Sequence, residues 1–262
     1  MRYMGHQRKI ESWQLANKGR PFLKNCILCW SYCSDTEFLP GMQRITEPEL
    51  MDDQAQAEAY AAADFAEAHS RIVDSFDSCF PGEDVAGYIL DLGCGPGDIC
   101  FRFAARFPAC SIMGVDGSRA MIRLANERKA CEPATGDRLQ FIEGLLPGAA
   151  IPGASFAAII SNSLLHHLHD PRVLWETVVR HASPGTRVFV VDLFRAETAA
   201  AARRLVDEYA SDEPEILRRD FFNSLCAAFE PGEVEAQLAA AGLAGLAVDL
   251  ISDRHLVVHG VL

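Results

Sequence analysis

Lysine is scarce in this 262-residue chain: only four occur, and three of them lie in the first 41 residues. Lysine and arginine together number 24 against 36 aspartates and glutamates, which gives a formal net charge of −12. Proteins that bind nucleic acids hold the phosphate backbone with clustered lysine and arginine. The acidic balance therefore argues against a nucleic-acid partner and favours a small-molecule ligand.

Long apolar runs are also missing. A membrane-spanning helix needs about 18 or more consecutive apolar residues, and every candidate run is interrupted by Asp, Arg, Pro or Gly. The stretch "NCILCWSYC" near the start is too short and too interrupted for the apolar core of a signal peptide. We therefore expect a cytoplasmic protein with no membrane partner, either a monomer or a homodimer.

A regular cysteine framework is absent too. The nine cysteines are irregularly spaced, which is typical of reduced thiols rather than disulfides. Cys26, Cys29 and Cys33 resemble half of a metal site, but no second pair of ligands with suitable spacing follows. We expect no bound metal.

The first 41 residues differ in composition from the rest. They contain six basic and three acidic residues, whereas the chain from Met42 onward contains 18 basic and 33 acidic residues. Residues 1–41 are therefore interpreted as a basic leader that is poorly ordered and dispensable. A second interpretation is that translation begins at Met42 and that this leader is not part of the true protein.

Helical and apolar segments alternate after residue 52. Residues 52–80 predict one long helix with acidic residues in its first turn, where they suit the helix dipole. Residues 42–86 are assigned to an N-terminal helical lid. The apolar segments predict strands, in chain order, at 87–93, 111–116, 138–144, 155–162, 186–194, 246–252 and 254–262.

Strands that are apolar on both faces and alternate with helices are typical of a parallel sheet covered on both sides. The predicted fold class for residues 87–262 is therefore α/β, a doubly wound, seven-stranded sheet that is mostly parallel. The last two predicted strands follow one another almost directly, so they should pair as an antiparallel hairpin. Two helical segments at 196–229 have no strand between them and are predicted to cover the substrate.

Three glycines at alternate positions follow the first predicted strand, in "YILDLGCGPGDIC" (88–100). Ligands of doubly wound sheets bind beyond the carboxyl ends of the strands, where the strand order reverses. Glycine permits positive φ and lets a ligand approach the backbone closely. Dinucleotide enzymes have GxGxxG at this place, whereas this chain has GxGxG with Asp91 two residues before it.

The glycine turn, followed by "GVDGS" (114–118) and "IISNSLLHHLHDP" (159–171), resembles the class I S-adenosylmethionine-dependent methyltransferase family. The resemblance covers about residues 50–260. It implies a Rossmann-like fold, S-adenosyl-L-methionine as cofactor, and methyl transfer to a small-molecule acceptor by in-line displacement. Whether the accepting atom is O, N, S or C is left open.

The resemblance also implies cofactor contacts. Asp91 is expected to reach the methionine ammonium directly or through water, and Asp116 is expected to accept hydrogen bonds from both ribose hydroxyls. An acidic turn suits a ligand with a sulfonium and an ammonium group better than it suits a pyrophosphate. The remaining cofactor residues that the resemblance implies at these turns are Gly93, Gly95, Gly97 and Gly117.

Adenine recognition departs from the family pattern. The family usually has Gly-Asp after the third strand, but here Leu145 follows Gly144, and Ala157 occupies a second position that is commonly acidic. Backbone groups near Gly144 and apolar packing are expected to hold the adenine instead. Met121, Leu145 and Leu146 are the apolar candidates.

The loop after the fourth strand faces the acceptor in the family, so Asn162, His166, His167 and His169 are site candidates. His166 or His167 is predicted to act as a general base, but such segments also shape the site and cap the next helix without chemistry. A metal site is disfavoured because adjacent histidines point in different directions in regular conformations.

Three further residues are predicted to face the substrate. Tyr60 and Phe65 belong either to a lid or to an ordinary core-facing helical stripe. Arg195 lies just past the fifth strand, directly before the helical insertion that is predicted to cover the substrate. Two rival functions are kept beside the methyltransferase: a non-catalytic S-adenosylmethionine-binding module and an NAD(P)-dependent oxidoreductase, which the GxGxG spacing disfavours.

Overall fold

The computed structural model describes residues 42–51, 54–63, 65–82 and 85–262. The predicted leader, residues 1–41, and its three clustered cysteines lie outside the described residues, as do Asp52 and Asp64. No helix in the described ranges is long and apolar enough to cross a membrane.

The described chain forms one seven-stranded sheet with the strand order β3-β2-β1-β4-β5-β7-β6. Strands β1 to β5 are parallel, and β7 is antiparallel to both β5 and β6. The predicted fold class and the terminal hairpin are confirmed. The strands are β1 (Gly87–Leu92), β2 (Cys110–Asp116), β3 (Leu139–Glu143), β4 (Phe156–Asn162), β5 (Arg187–Leu193), β6 (Ala247–Leu250) and β7 (His255–Val261).

Helices cover both faces of the sheet because successive side chains of its central strands point to opposite sides. In β1, Ile89 packs with the helices of one face, while Leu90 and Leu92 pack on the other. The helices are α1 (Gln54–Ala62), α2 (Ala66–Cys79), α3 (Asp98–Arg106), α4 (Arg119–Cys131), α5 (Pro133–Gly136), α6 (Arg172–His181), α7 (Ala199–Tyr209), α8 (Glu215–Ala227) and α9 (Pro231–Ala240).

The N-terminal helical segment differs from the prediction of one helix over residues 52–80. The chain leaves the helix at Ala63 and resumes at Ala66, which separates α1 from α2. The interruption lets the rings of Tyr60 and Phe65 pack with their centroids 5.0 Å apart. Residues five apart in a continuous helix point in different directions, so the break allows this aromatic contact. Helix α2 then packs Val73 and Phe76 into the core of the sheet.

The insertion between β5 and β6 contains α7 and α8 with no strand between them, as predicted. These helices share a small apolar cluster of their own, in which Ala202 and Leu225 are fully buried. Leu193 at the end of β5 belongs to the same cluster. The cluster therefore anchors the insertion to the carboxyl edge of the sheet, where β5 ends.

Candidate functional site at the carboxyl edge of the sheet

The glycine turn is tied to the end of the neighbouring strand β2. The backbone N–H groups of Gly93 and Cys94 both donate to the carbonyl oxygen of Val115, at 2.8 and 3.0 Å. The N–H of Gly97 donates back to the carbonyl of Cys94 at 3.0 Å, just before α3 begins. The turn is thus fixed over the point where β1 and β2 end.

Two of the three glycines are required by crowding inside the protein. A Cβ on Gly93 would lie 2.8 Å from the Cβ of Leu164, and one on Gly97 would lie 2.8 Å from the ring of Phe141. Gly95 differs, because among the described residues nothing lies within 4 Å of the position that its Cβ would take. Gly95 is therefore where a ligand has room to approach the turn.

Asp116, at the end of β2, is held against that open position. Its Oδ2 accepts a hydrogen bond from the N–H of Gly95 at 2.8 Å, and its Oδ1 accepts one from the N–H of Ser118 at 2.8 Å. A carboxylate has about four lone-pair sites, which is more than these two backbone hydrogen bonds occupy. The structure brings Asp116 and the glycine turn together as the sequence predicted.

Asp91 lies beneath the turn with only 1% of its surface exposed. One of its oxygens accepts a hydrogen bond from the thiol of Cys100 at 3.0 Å. Burial raises the pKa of the Asp91 carboxyl to about 7. Its charge is therefore sensitive to pH near neutrality and to any cation that approaches the turn.

The predicted adenine side is apolar, but its members are not equivalent. Leu145 is 61% exposed, and its side chain and that of Leu50 flank Gly117, where a Cβ would lie 2.7 Å from Leu145 and 2.8 Å from Leu50. Met121 is buried at the start of α4, and Leu146 packs against the core cluster of α6 and α9. Leu145 is thus the most accessible of the three apolar candidates.

The loop after β4 carries a buried polar cluster. His166 Nδ1 donates to Asp192 Oδ1 at 2.5 Å, and the carboxylate of Asp192 also accepts from the backbone N–H groups of Leu165 at 2.6 Å and Leu193 at 2.6 Å. These contacts fix the imidazole of His166. Its second nitrogen, Nε2, is left facing Glu47.

Glu47 brings both histidines of the loop together. Its Oε1 lies 3.6 Å from His166 Nε2 and 3.3 Å from His167 Nδ1, and it accepts a hydrogen bond from the hydroxyl of Ser224 at 3.0 Å. The two imidazole rings are 4.2 Å apart with a 35° angle between their planes. The expectation that adjacent histidines diverge is therefore wrong for His166 and His167, because the loop forms a 3-10 turn at Leu165–His167.

The charges in this cluster are strongly coupled. Burial alone would lower the pKa of His166, but the carboxylate of Asp192 outweighs burial and raises it. Burial would raise the pKa of Asp192, but His166 holds it below its usual value. Burial lowers the pKa of His167 to about 3 and raises that of Glu47. At neutral pH His167 is therefore a neutral imidazole.

An extended segment, residues 42–51, crosses this edge of the sheet and supplies Glu47. Arg44 anchors the segment by donating from Nη2 to the carbonyl oxygens of His166 and Leu168, both at 2.9 Å. Its guanidinium also stacks over the ring of Phe229 at 3.8 Å. Near the end of the segment, the carbonyl of Met51 accepts from Ser118 Oγ at 2.9 Å. The segment thus spans from the histidine loop to the Asp116 turn.

The other predicted residues have mixed placements. Asn162 ends β4 and is half-buried. Burial, together with the nearby charges of Asp98 and Asp116, raises the pKa of Tyr60 to about 12.

Arg195 is buried, and its guanidinium is paired with the carboxylate of Glu230 at 2.7 Å, so this charge is already engaged within the protein. A substrate role for Arg195 stays a prediction.

Asp98, the first residue of α3, is held by three side chains that donate to its carboxylate. Its carboxylate accepts from His69 at 2.7 Å, Arg102 at 2.6 Å and Arg128 at 2.8 Å. The N-terminus of α3 has no side-chain cap. Asp98 therefore joins α2, α3 and α4 through ion pairs.

Sequence reasoning missed Glu47, Arg44 and Asp192. Asp192 had a detectable signal, since it is the one carboxylate in an apolar strand segment, "RVFVVDL", and a buried carboxylate requires a partner. Arg44 and Glu47 carried no such signal. They come near the histidines only because residues 42–51 fold back over a loop more than 100 positions away.

The amino-acid sequence is similar to those of known methyltransferases. Residues 89–185 match the family model of a methyltransferase domain. An uncharacterized methyltransferase of Mycobacterium tuberculosis is 31% identical over 103 residues, 39% of this chain and 49% of the relative. The mitochondrial ubiquinone biosynthesis O-methyltransferase of Schizosaccharomyces pombe is 30% identical over 118 residues, 45% of this chain and 40% of the relative. The chain thus spans about half, or less, of these relatives.

Solved structures extend the similarity beyond the matched domain. A SAM-dependent methyltransferase from Aquifex aeolicus superposes with a TM-score of 0.55 at 14% identity, covering 79% of this chain and 97% of the other. Phosphoethanolamine N-methyltransferase 2 of Haemonchus contortus, in complex with phosphomonomethylethanolamine and S-adenosylhomocysteine, superposes with a TM-score of 0.57 at 17% identity, covering 76% and 44%. At these identities the likeness shows the fold alone.

Proposed function

We propose that this protein transfers a methyl group from S-adenosyl-L-methionine to a small-molecule acceptor, because residues 89–185 match the model of a methyltransferase domain. One observation carries the proposal. The Asp116 carboxylate, fixed by Gly95 and Ser118, lies beside the part of the glycine turn that is open to a ligand.

The residues at the turn fit the donor chemically. The carboxylate of Asp116, oriented by the N–H of Gly95, is of the chemical type that binds the paired hydroxyls of a ribose, and the backbone at Gly95 is accessible to a ligand. Asp91, buried beneath the turn, favours a cationic ligand such as one bearing an ammonium group. Gly144 and the exposed side chain of Leu145 offer backbone and apolar contact to an aromatic base.

Bound S-adenosylmethionine would supply a methyl group that its sulfonium already activates, so the protein's task is to align an acceptor with it. Asn162 and the histidine loop lie at the end of β4, beside the turn, because Leu164 packs on Gly93. These residues are proposed to orient the acceptor. The segment 42–51 and helix α1, with Tyr60 and Phe65, are proposed to cover it.

The names of two relatives support a small acceptor. One curated relative is the ubiquinone biosynthesis O-methyltransferase already described, and another is a trans-aconitate 2-methyltransferase of Azoarcus, 29% identical over 121 residues. The accepting atom is left open. All six cysteines of the described residues are free, which supports a reducing, cytoplasmic setting.

Calorimetric titration with S-adenosylhomocysteine tests the donor site. Asp116→Ala should weaken binding by about tenfold or more, since hydrogen bonds to a charged group contribute about 1.5–3 kcal/mol. Asp137→Ala, which removes an exposed carboxylate far along the chain at the start of β3, is the matched control and should bind like the unchanged protein.

The same titration separates the rival functions. NADH should give no heat of binding, and tight binding of NADH with none of S-adenosylhomocysteine would favour the oxidoreductase. Equal affinity of the unchanged protein and Asp116→Ala for S-adenosylhomocysteine would contradict the assignment of the ribose site.

A further inference from the structure

We propose that Glu47, His166 and His167 bind a divalent transition-metal cation, with Zn²⁺ or Co²⁺ as the best match. The three side chains each offer one ligand atom, and these atoms all lie within 4.8 Å of one another. Two imidazole nitrogens and one carboxylate oxygen are ligands that zinc takes in proteins.

The two distances from Glu47 to the histidine nitrogens are close to those of tetrahedral coordination. Ligand atoms about 2.0–2.1 Å from a tetrahedral zinc lie about 3.3–3.4 Å from one another. Glu47 Oε1 is 3.3 Å from His167 Nδ1 and 3.6 Å from His166 Nε2, neither of which makes a hydrogen bond to it that satisfies the usual geometry. The atoms are therefore spaced as ligands around a shared centre.

An unpartnered nitrogen of His167 also supports a cation at this place. His167 Nδ1 is buried and has no hydrogen-bond partner among the described residues. A buried polar atom without a partner is uncommon because its desolvation is not compensated. A cation between His167 and Glu47 would satisfy this nitrogen.

The surroundings resemble the outer shell of a metal centre. A metal-bound histidine usually donates its other ring N–H to a carboxylate, which fixes the ring and its tautomer. His166 Nδ1 donates to buried Asp192 in this way, and Ser224 Oγ donates to the ligand oxygen of Glu47. Two buried carboxylates surround the imidazoles, and Arg44 supplies one positive charge nearby. A divalent cation would compensate the remaining negative charge.

Three protein ligands leave a fourth position for an outside ligand, as in catalytic zinc sites. In a part of the inference that rests on the proposed function, that ligand is the oxygen or sulfur atom of the methyl acceptor. A cation lowers the pKa of such a group and makes it a better nucleophile. His166 and His167 would then orient the acceptor through the metal and would not act as general bases.

Metal content tests the inference without any cofactor or methyl transfer, so its failure is distinct from failure of the proposed function. The full chain, with any affinity tag removed, is treated with a chelator, dialysed against ZnSO₄ and then against metal-free buffer. Zinc is measured by mass spectrometry. Glu47→Gln and His167→Ala should each retain about one equivalent less zinc than the unchanged protein. His181→Ala, a histidine at the end of α6 outside the cluster, is the matched control and should retain the full amount.

Cobalt distinguishes this site from the cysteines near the N-terminus. Cobalt bound by nitrogen and oxygen gives visible d–d bands without the intense thiolate charge-transfer band. Asp192→Asn should weaken cobalt binding by about 10- to 100-fold, as loss of an outer-shell carboxylate does. The inference is overturned if Glu47→Gln, His167→Ala and His181→Ala retain as much zinc as the unchanged protein. It is also overturned if the cobalt spectrum shows thiolate charge-transfer bands alone.

Discussion

Asp91 and Asp116 lie on neighbouring strands, yet the protein holds their carboxylates in different ways. Asp116 is partly accessible and is oriented by two backbone N–H groups. Asp91 is 1% exposed, and its pKa is raised to about 7 by burial. At the residue scale, Asp116 is therefore oriented to accept hydrogen bonds from a ligand, whereas the ionisation of Asp91 depends on pH and on nearby charge.

The titration of Asp91 predicts a pH-dependent affinity for the donor. If the ionised carboxylate attracts the ammonium group, S-adenosylhomocysteine should bind about tenfold more tightly at pH 8 than at pH 6, because most of the carboxyl is protonated below its pKa. Calorimetry at the two pH values measures the difference. Asp91→Asn should bind weakly with little change between them, and an unchanged pH dependence in this variant would rule Asp91 out.

Thermal unfolding provides the control that Asp91→Asn is folded. The folded-state pKa of Asp91 lies above the unfolded value near 3.9, so ionisation costs the folded state stability as pH rises from about 4 to 7. Asparagine removes that cost. The variant should therefore unfold at a temperature equal to or above that of the unchanged protein at pH 8.

Several of these residues were predictable and others were not. Asp116 and the glycine turn are close in structure because they end adjacent parallel strands, which follows from the strand pattern alone. Glu47 reaches His167 only through the tertiary path of an extended segment, for which periodicity gives no signal. The fixed ring of His166 depends on Asp192, which lies within the strand predicted at 186–194 but whose partner was not predicted.

At the scale of elements, the strands were predicted to within about two residues at each end, whereas the first helix was not. Alternating apolar runs and turns determine strands directly. The break at Ala63 accompanies ring packing between Tyr60 and Phe65, whereas the alanine-rich sequence on either side favours helix throughout. Helix propensity alone therefore does not predict the boundary between α1 and α2.

The ion pairs of Asp98 join α2, α3 and α4, so we expect this residue to contribute to the stability of the fold. Burial alone would raise its pKa, but hydrogen bonds from His69, Arg102 and Arg128 hold the pKa well below its usual value. Asp98→Asn should lower the free energy of unfolding by about 2 kcal/mol at pH 7, as measured by urea denaturation.

The sign of the pH dependence follows from the lowered pKa. The stabilisation is present above the unfolded pKa near 3.9 and is lost as pH falls below it, so the difference between the two proteins should shrink at pH 3. Asp77→Asn, which removes a more exposed pair between α2 and Arg106, is the control and should change stability by less than about 1 kcal/mol. Equal stability of Asp98→Asn and the unchanged protein at pH 7 would contradict the account.

At the scale of the whole molecule, composition and motif order were enough to predict the fold class and the methyltransferase-domain match of residues 89–185. The acidic balance argued against a nucleic-acid surface, and the order of the glycine turn, Asp116 and the histidine loop indicated the donor. The acceptor was not predictable, because the elements that would enclose it, residues 42–51 and the α7–α8 insertion, lack a shared motif. Their positions depend on side-chain packing across the chain.

Transfer of a labelled methyl group tests the central claim most directly. The protein is incubated with S-adenosylmethionine carrying a labelled methyl and with a fractionated small-molecule extract. We predict labelled product with the unchanged protein, at least tenfold less with Asp116→Ala at limiting donor, and full activity with Asp137→Ala. Tight binding of S-adenosylhomocysteine with no labelled small molecule in any fraction would contradict the claim and favour a non-catalytic binding module.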